Sequence, residues 1–270
     1  MASLLKYFRA IGFNPLTLTY MLIRVSLRFP FGSKTRNKIL KMTSLETLEK
    51  FLKRIHYPKH LSSALLVKET CAKVQRDIFR HEHQVSSFLA GKKGAVFVDV
   101  GANVGYYSFL LYNNFDTILA VEPHPDNVEI MTAIKKERNF SKVKISSLAV
   151  GDKDRDEVRL YVGSHCGGHT LSAQRSSRAS GNRQKYIETK MVTLNTLLKD
   201  YESIDLVKVD VEGAEWLVLT GAEGVRDRIK SWIIELHGLR RKEEMQKWFS
   251  DRGYQYKWID KNHLYAEKND

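Results

Sequence analysis

The stretch Ala95-Val-Phe-Val-Asp-Val-Gly-Ala-Asn-Val-Gly105 decides the fold class of this chain. It begins as a short apolar run, ends that run in an acid and a valine, and continues with two glycines, Gly101 and Gly105. An apolar run followed by a glycine-rich turn and a helix-like segment over Val104–Asn113 is typical of a buried strand leading into a helix. The glycines allow close approach of a ligand to the backbone, and the first amides of the helix then face that ligand. The stretch therefore predicts a ligand-binding strand, turn and helix.

The same alternation of strand and helix recurs along the chain. A helix is predicted over Asn127–Glu137, and strands are predicted over Thr117–Glu122, Val143–Val150, Asp205–Val211 and Trp232–His237. Strands that alternate with helices pair in parallel through right-handed crossovers, so we predict an α/β fold with a Rossmann-like, doubly wound, mostly parallel sheet. Tyr254–Ile259 and His263–Glu267 flank a turn-like segment and predict a C-terminal antiparallel hairpin at the sheet edge.

The N-terminal part of the chain has a different composition. Residues 1–60 hold twelve basic and two acidic side chains, a net charge of 12 − 2 = +10 out of +13 for all 270 residues. We predict a basic helical N-terminal region over residues 1–80 and a Rossmann-like domain over residues 81–270. The concentrated charge predicts an anionic contact, either a membrane surface, a phosphorylated substrate or nucleic acid, unless it serves only as a solubilising tail.

No segment of the sequence predicts a membrane-spanning helix. The longest charge-free stretch near the start, Ala10–Ile23, has 14 residues, whereas a spanning helix requires about 20. The segment Pro15–Phe29 predicts an amphipathic helix that can lie in a membrane interface or pack on the protein's own core. No signal peptide is expected, and two cysteines cannot form a disulfide framework. We therefore expect a cytoplasmic protein, with peripheral docking on the inner face of the membrane through residues 1–60.

An acidic residue follows the second predicted strand in Glu122-Pro-His-Pro, 21 residues after Gly101. A carboxylate at this point can accept hydrogen bonds from both hydroxyls of a ribose. The turn lacks the Gly-x-Gly-x-x-Gly spacing of dinucleotide-binding folds. Together the glycine turn and the acid predict a nucleoside-bearing cofactor.

Five motifs resemble those of the FkbM-type S-adenosylmethionine-dependent methyltransferases over about Arg80–Glu267: Asp99-Val-Gly-Ala-Asn-Val-Gly-Tyr-Tyr-Ser108, Val121-Glu-Pro-His-Pro125, Ala149-Val-Gly-Asp152, Lys208-Val-Asp-Val-Glu-Gly-Ala-Glu215 and Ile234-Glu-Leu-His237. The resemblance implies a class I methyltransferase fold and S-adenosyl-L-methionine as the cofactor. It implies that Glu122 holds the ribose of the cofactor. The methionine half would be surrounded by Asp99, Gly101, Asn103 and Gly105. The adenine would be bound by Ala149 to Asp152. One departure is Asn195, where the family usually has an aspartate.

The motif at residues 208–215 predicts the chemistry. Alternation along a buried strand sends Lys208, Asp210 and Glu212 to one side, and the strand end brings Asp210 toward the methyl group of the cofactor. Buried acids are costly unless they are used or paired, here with Lys208. His237, at the end of the next strand, is the candidate general base, because its pKa lies near working pH; a buried, hydrogen-bonded histidine is the alternative. Glu215 either takes part in the site or complements the helix dipole.

Two features near this motif remain open. Asp210 with Glu212 or His237 can hold a hard or borderline divalent cation, although no ligand spacing requires one. The segment Gly163–Tyr186, rich in Gly, Ser and Arg, is predicted to be a functional lid or a disordered loop. Within it His165 and His169 are further candidates to meet the acceptor.

The resemblance implies an O-methyltransferase acting on a hydroxyl of a glycan, a lipid-linked sugar or a related small molecule. One rival is an RNA ribose methyltransferase, which the basic N-terminus favours but the lack of a recognisable RNA-binding module opposes. Nucleic acid is therefore not the expected partner. A second rival is a membrane-docking protein with an inactive methyltransferase-like domain, and the presence of Asp99, Glu122 and Asp210 argues against it.

Overall fold

A computed structural model of the protein describes residues 82–163, 168–171, 185–237 and 242–268. The predictions for the basic N-terminal region, including the helix over Pro15–Phe29, lie outside these residues, as does His165. Among the described residues, no helix is long and apolar enough to cross a membrane.

Ten strands and six α-helices make up the described part of the chain. The helices are α1 (His83–Leu89), α2 (Tyr106–Leu110), α3 (Pro125–Arg138), α4 (Leu194–Leu197), α5 (Glu215–Thr220) and α6 (Lys242–Ser250). The strands are β1 (Gly94–Val100), β2 (Phe115–Val121), β3 (Val143–Ser146), β4 (Ala149–Val150), β5 (Arg155–Tyr161), β6 (Tyr186–Val192), β7 (Leu206–Val209), β8 (Ser231–Glu235), β9 (Tyr254–Trp258) and β10 (His263–Lys268).

Seven of the strands form one sheet in the order β3-β2-β1-β7-β8-β10-β9. The first five strands of this order pair in parallel, whereas β10 is antiparallel to both β8 and β9. The prediction of a Rossmann-like, mostly parallel sheet with a C-terminal antiparallel hairpin is confirmed. Because the parallel strands point the same way, their carboxyl ends and the segments that follow them lie along one edge of the sheet.

The central strands are buried on both faces, which explains their nearly continuous apolar sequence. On β1, Phe97 and Val98 are fully buried, and all four residues of β7 are buried. Two charged residues interrupt these apolar strands. Lys208 is 3% exposed, and it is paired in the parallel register with Asp99 of β1, which is also buried. A charged pair inside an apolar sheet centre is expensive to desolvate. The burial of this pair therefore indicates that it serves a site at the adjacent edge of the sheet.

The predicted strand over Val143–Val150 is wrong as one element, because it is two strands in two sheets. β3 belongs to the main sheet, whereas β4 pairs with β6 in a second sheet of order β4-β6-β5. The antiparallel pair β5 and β6 flanks the predicted insertion and was not expected from the sequence. In β5 only Leu160 is buried, so this strand lacks the alternation of apolar and polar residues by which strands are recognised.

Candidate functional site

A cleft of about 580 Å³, open to solvent, lies at the sheet edge where the parallel strands end. Four of the five motifs contribute to its wall, and the fifth, Ile234-Glu-Leu-His237, does not. The lining includes Gly101, Asn103, Glu122, Leu148, Ala149, Leu160, His169, Thr170, Leu171, Asp210 and Glu212. Residues far apart in the sequence meet here because the β1, β2 and β7 ends are neighbours in the sheet.

The turn after β1 is packed directly against the turn after β7. Gly101 has a φ of +77°, and a Cβ atom at this position would lie 1.8 Å from the carbonyl oxygen of Asp210. Only glycine is compatible with that approach. Asn103 also has a positive φ, of 54°, and its backbone N–H donates to Oε2 of Glu122 at 2.9 Å. The glycine turn is thus tied to the predicted ribose-binding acid.

Glu122 follows β2 and is 5% exposed. Its Oε1 atom accepts hydrogen bonds from the backbone N–H of His124 at 2.9 Å and from the side-chain amide of Asn127 at 3.3 Å. Burial raises the pKa of Glu122 to about 7, although these hydrogen bonds oppose the shift. Each carboxylate oxygen has two acceptor positions. The group can therefore accept bonds from ligand hydroxyls as well as from the protein.

Apolar and aromatic side chains form the other end of the cleft. Leu148, Ala149 and Leu160 contribute apolar surface. The ring of His169 stacks on that of His124, with centroids 4.1 Å apart and an interplanar angle of 13°. A flat aromatic group such as adenine suits these surfaces.

Three of the predicted cofactor residues are not among those that line this cleft. Asp152 lies with Oδ1 3.4 Å from Nη2 of Arg155. Gly105, with a φ of +84°, packs against Phe109 and Met131. Asp99 is fully buried, and its Oδ2 accepts a 2.7 Å hydrogen bond from the hydroxyl of Ser108. Asp99 and Gly105 therefore support the cleft from beneath.

The buried Lys208 forms an ion pair with Asp210, which lines the cleft and whose side chain is 25% exposed. Nζ of Lys208 lies 3.2 Å from Oδ2 of Asp210 and 4.0 Å from Oδ1 of Asp99. Burial favours the neutral acid, but the lysine ammonium holds the pKa of Asp210 below its usual value. Despite its own burial, Lys208 has a raised pKa because of the carboxylates around it. The pair therefore keeps both partners charged.

His237 lies two residues after β8, at the centre of a group of carboxylates. Its Nδ1 atom is 2.7 Å from Oε1 of Glu215. Its Nε2 atom is 3.4 Å from Oε2 of Glu212, 3.7 Å from Oε1 of Glu235 and 3.9 Å from Oδ1 of Asp210. Burial alone would lower the pKa of His237, but the bond to Glu215 and the neighbouring negative charges raise it to about 9. The imidazole of the free protein therefore carries a proton at neutral pH.

Near His237, the sequence left the role of Glu215 open and assigned none to Glu235 or His263. Glu215 opens α5, but its Oε1 accepts the backbone N–H of Gly213 at 2.8 Å as well as contacting His237, so it does more than complement a helix dipole. Glu235 and His263 pair across β8 and β10. The motif Ile234-Glu-Leu-His237 contained the signal for Glu235, whereas His263 stands in no motif.

Thr170 connects the insertion to the turn after β7. Its side chain is buried, and its hydroxyl donates a 2.7 Å hydrogen bond to the carbonyl oxygen of Glu212. Glu212 itself has a φ of +51°, which is uncommon for a residue other than glycine. The bond from Thr170 helps to hold this turn, and with it the carboxylates on either side.

Residues 99–256 match the model of the methyltransferase FkbM domain, which is more than half of the 270 residues. The chain belongs to the FkbM methyltransferase family. A curated relative is Methyltransferase 1 of Beauveria bassiana (strain ARSEF 2860). The two sequences are 27% identical in an alignment of 161 residues, and the match covers 52% of this chain and 63% of the relative. The FkbM-family chain thus spans less than two thirds of that relative's length.

Two solved methyltransferase structures are similar to parts of this chain. The FkbM methyltransferase from Methylobacillus flagellatus KT is 14% identical, with a TM-score of 0.48 over 85% of this chain and 60% of that chain. The precorrin-6y C5,15-methyltransferase from Geobacter metallireducens GS-15 is 14% identical, with a TM-score of 0.43 over 69% of this chain and 88% of that chain.

The position at which this FkbM-family chain departs from the usual motif is not part of the cleft lining. Asn195 is in α4, where its backbone N–H donates to the carbonyl of Gly221 at 3.0 Å. Its side-chain atoms lie 3.1 to 3.2 Å from the point that a Cβ atom would occupy if Gly224 carried one. The residue packs against the segment after α5.

Proposed function

We propose that this FkbM-family chain is an S-adenosylmethionine-dependent O-methyltransferase that acts on a hydroxyl of a glycan, a lipid-linked sugar or a related small molecule. The observation that carries the proposal is that Glu122 and Asp210 line the same cleft. A single ligand can therefore meet a ribose-binding acid and the predicted catalytic acid together.

The cleft fits the nucleoside part of the cofactor. Glu122 is positioned for the ribose hydroxyls, and Ala149 with Leu148 offers apolar contact to an adenine. Among the described residues, the buried Oδ1 atom of Asn103 has no hydrogen-bond partner. Buried polar atoms without partners are rare in folded proteins. A donor on the cofactor, such as its ammonium group, would supply the missing partner.

The chain's own residues act on the acceptor. When bound, S-adenosylmethionine supplies a methyl group that is already electrophilic. Asp210, held ionised by Lys208, accepts the hydrogen bond of an acceptor hydroxyl and orients its oxygen. His237 takes the proton only after it has lost its own, because its imidazole is protonated at neutral pH. Thr170 and His169 help to exclude water from the cleft.

The charge at the acceptor end supports a neutral hydroxyl compound over RNA. Asp210, Glu212, Glu215 and Glu235 place four carboxylates around His237. Each phosphate of a nucleic acid would be repelled there, whereas sugar hydroxyls donate well to carboxylates. The basic residues 1–60 lie outside the described part and suit an anionic membrane that presents a lipid-linked acceptor.

Binding and turnover of the full chain test this proposal. Calorimetry with S-adenosylmethionine is expected to give one site, and transfer of tritiated methyl groups is expected to label a glycan or lipid-linked fraction. The Asp210→Asn variant should bind the cofactor without labelling. Labelled RNA in place of glycan would favour ribose methylation, and cofactor binding with no labelled acceptor would favour the inactive-domain rival. Absence of cofactor binding by the folded protein would overturn the proposal.

A further inference from the structure

We propose that Asp210, Glu212, Glu235 and His237 form a binding site for one divalent cation at the acceptor end of the cleft. The existence of this site is independent of the proposed function, but its use in methyl transfer rests on it. The four residues come from the segments after β7 and at the end of β8, which are adjacent parallel strands. Their potential ligand atoms therefore meet at one edge of the sheet.

The distances are close to those of a coordination shell. Three carboxylate oxygens, one each from Asp210, Glu212 and Glu235, lie 3.9, 3.4 and 3.7 Å from Nε2 of His237. The relevant atoms of Asp210, Glu212 and His237 all lie within 4.8 Å of one another. Ligands about 2.1 Å from an octahedral ion are separated by about 3 Å at neighbouring positions. Shifts of about 1 Å would therefore place the atoms of Asp210, Glu212 and His237 around one ion, and Glu235, which also belongs to the neighbouring group with Glu82 and His263, would complete the set by a larger movement of its side chain.

Two of the four residues have a second polar atom fixed by a partner outside the group. Oδ2 of Asp210 is held by Nζ of Lys208 at 3.2 Å, and Nδ1 of His237 by Oε1 of Glu215 at 2.7 Å. In both residues the other atom, Oδ1 or Nε2, belongs to the convergent set. A carboxylate on the far nitrogen of a histidine is the usual outer partner of a metal-ligating imidazole, since it fixes the tautomer and the ring orientation.

A buried histidine, His263, supplies an independent observation on Glu235. His263 is 3% exposed, and within the described part of the chain its Nε2 atom has no hydrogen-bond partner. That atom faces Oε2 of Glu235 at 3.4 Å, which is longer than a hydrogen bond. Nδ1 of the same ring is anchored by Asp260 at 2.9 Å. A small shift of Glu235 toward an ion, with a water between it and His263, would satisfy this nitrogen.

The ligand set indicates the class of ion. Three carboxylate oxygens favour a hard cation such as Mg²⁺ or Mn²⁺, and one imidazole adds affinity for Mn²⁺ and later transition metals. The ligand side chains are 15 to 27% exposed, so an ion can enter from the cleft. Four protein ligands leave positions for water or an acceptor hydroxyl. An ion on Nε2 of His237 displaces the imidazole proton and occupies the nitrogen that would act as the base, so with the ion bound the cation activates the acceptor instead by lowering the pKa of its hydroxyl, which is the function we assign to the site.

Titration of the full chain with Mn²⁺ alone tests the site without any turnover. Binding is measured as the decrease of the electron paramagnetic resonance signal of free Mn²⁺. We expect one Mn²⁺ per chain, displaced by Mg²⁺. Glu212→Gln and His237→Gln should each weaken binding by tenfold or more. Glu129→Gln, which removes the same charge from an exposed position of α3, should change it by less than twofold.

A second variant distinguishes this site from its neighbour. Glu82, Glu235 and His263 form another group able to hold an ion. Glu82→Gln should leave Mn²⁺ affinity within twofold of the parent; if it weakens binding while Glu212→Gln does not, the ion is in the neighbouring group and the proposal is wrong. Absence of Mn²⁺ binding at millimolar concentration, in protein that binds S-adenosylmethionine, would also overturn it. Mn²⁺ binding without cofactor binding would instead contradict the proposed function and leave the cation site standing.

Discussion

Replacing Glu122 by glutamine is expected to stabilise the folded domain and to weaken cofactor binding. Burial raises the pKa of Glu122 from 4.5 to about 7. A carboxyl with a raised pKa contributes stability below the unfolded value, and this contribution is lost as the pH rises through the folded value. The shift, 7 − 4.5 = 2.5, corresponds to roughly 3.4 kcal/mol of unfolding free energy at pH 8, at about 1.36 kcal/mol per unit.

Glutamine recovers only part of this free energy. Oε2 of Glu122 accepts from the N–H of Asn103, and Oε1 accepts from the N–H of His124. An amide has one acceptor oxygen, so one of these donors loses its partner, at a cost of about 1 to 3 kcal/mol. The net expectation for Glu122→Gln is a gain of about 0.5 to 2 kcal/mol at pH 8 that turns into a loss of up to about 2 kcal/mol near pH 5, because the cost of the lost hydrogen bond remains. Denaturant unfolding at both pH values measures it.

The effect on S-adenosylmethionine has the opposite sign. A hydroxyl bond to a carboxylate is worth about 1.5 to 3 kcal/mol, and one to a neutral amide about half of that. We expect Glu122→Gln to weaken cofactor binding roughly 10- to 100-fold, and Glu122→Ala to weaken it by about 2 to 4 kcal/mol. Because the ionised form binds ribose, the dissociation constant of the parent protein should rise up to tenfold per unit below about pH 7. The variant should show no such dependence.

Calorimetry at pH 6, 7 and 8 decides between this account and a purely structural acid. Glu129→Gln is the matched control, because Glu129 is an exposed glutamate of α3. If Glu122→Gln binds the cofactor as tightly as the parent, or retains the parent's pH dependence, then Glu122 is not the ribose ligand and its burial requires another explanation.

Three further predictions concern the acceptor end and the N-terminal region. Asp210→Asn and His237→Gln should keep cofactor affinity while turnover falls roughly 10²-fold, and full activity in either would remove that residue from the mechanism. Thr170→Val should lower turnover about fivefold by releasing the turn after β7, with recovery in Thr170→Ser; equal rates in both variants would show that its hydroxyl has no positioning role. Sedimentation with anionic vesicles should weaken in high salt and when Arg24 and Arg28 become Glu, and binding that ignores both changes would contradict electrostatic docking.

The sequence was sufficient for the parallel sheet because the strands that define it are buried on both faces. Such strands are continuous apolar runs, as in β1 and β7, and the turns after them carry the residues that touch a ligand. Gly101 and Glu122 could be predicted to lie in one cleft for this reason. The β5 strand was missed because a mostly exposed edge strand has no such apolar run. Four of its seven residues are charged, so its sequence resembles that of a loop.

The tertiary structure alone brought Glu82 and His263 to Glu235. His263 is the first residue of β10 and Glu235 the last of β8, and they meet only because β10 runs antiparallel to β8. Glu82 precedes α1 and reaches the same region through a 2.6 Å hydrogen bond from the hydroxyl of Tyr107. A local pattern records which residues follow a strand, but not which distant strand becomes its neighbour or in which direction that neighbour runs. The charge around Glu235 depends on that pairing, because electrostatic interactions act through distances in space.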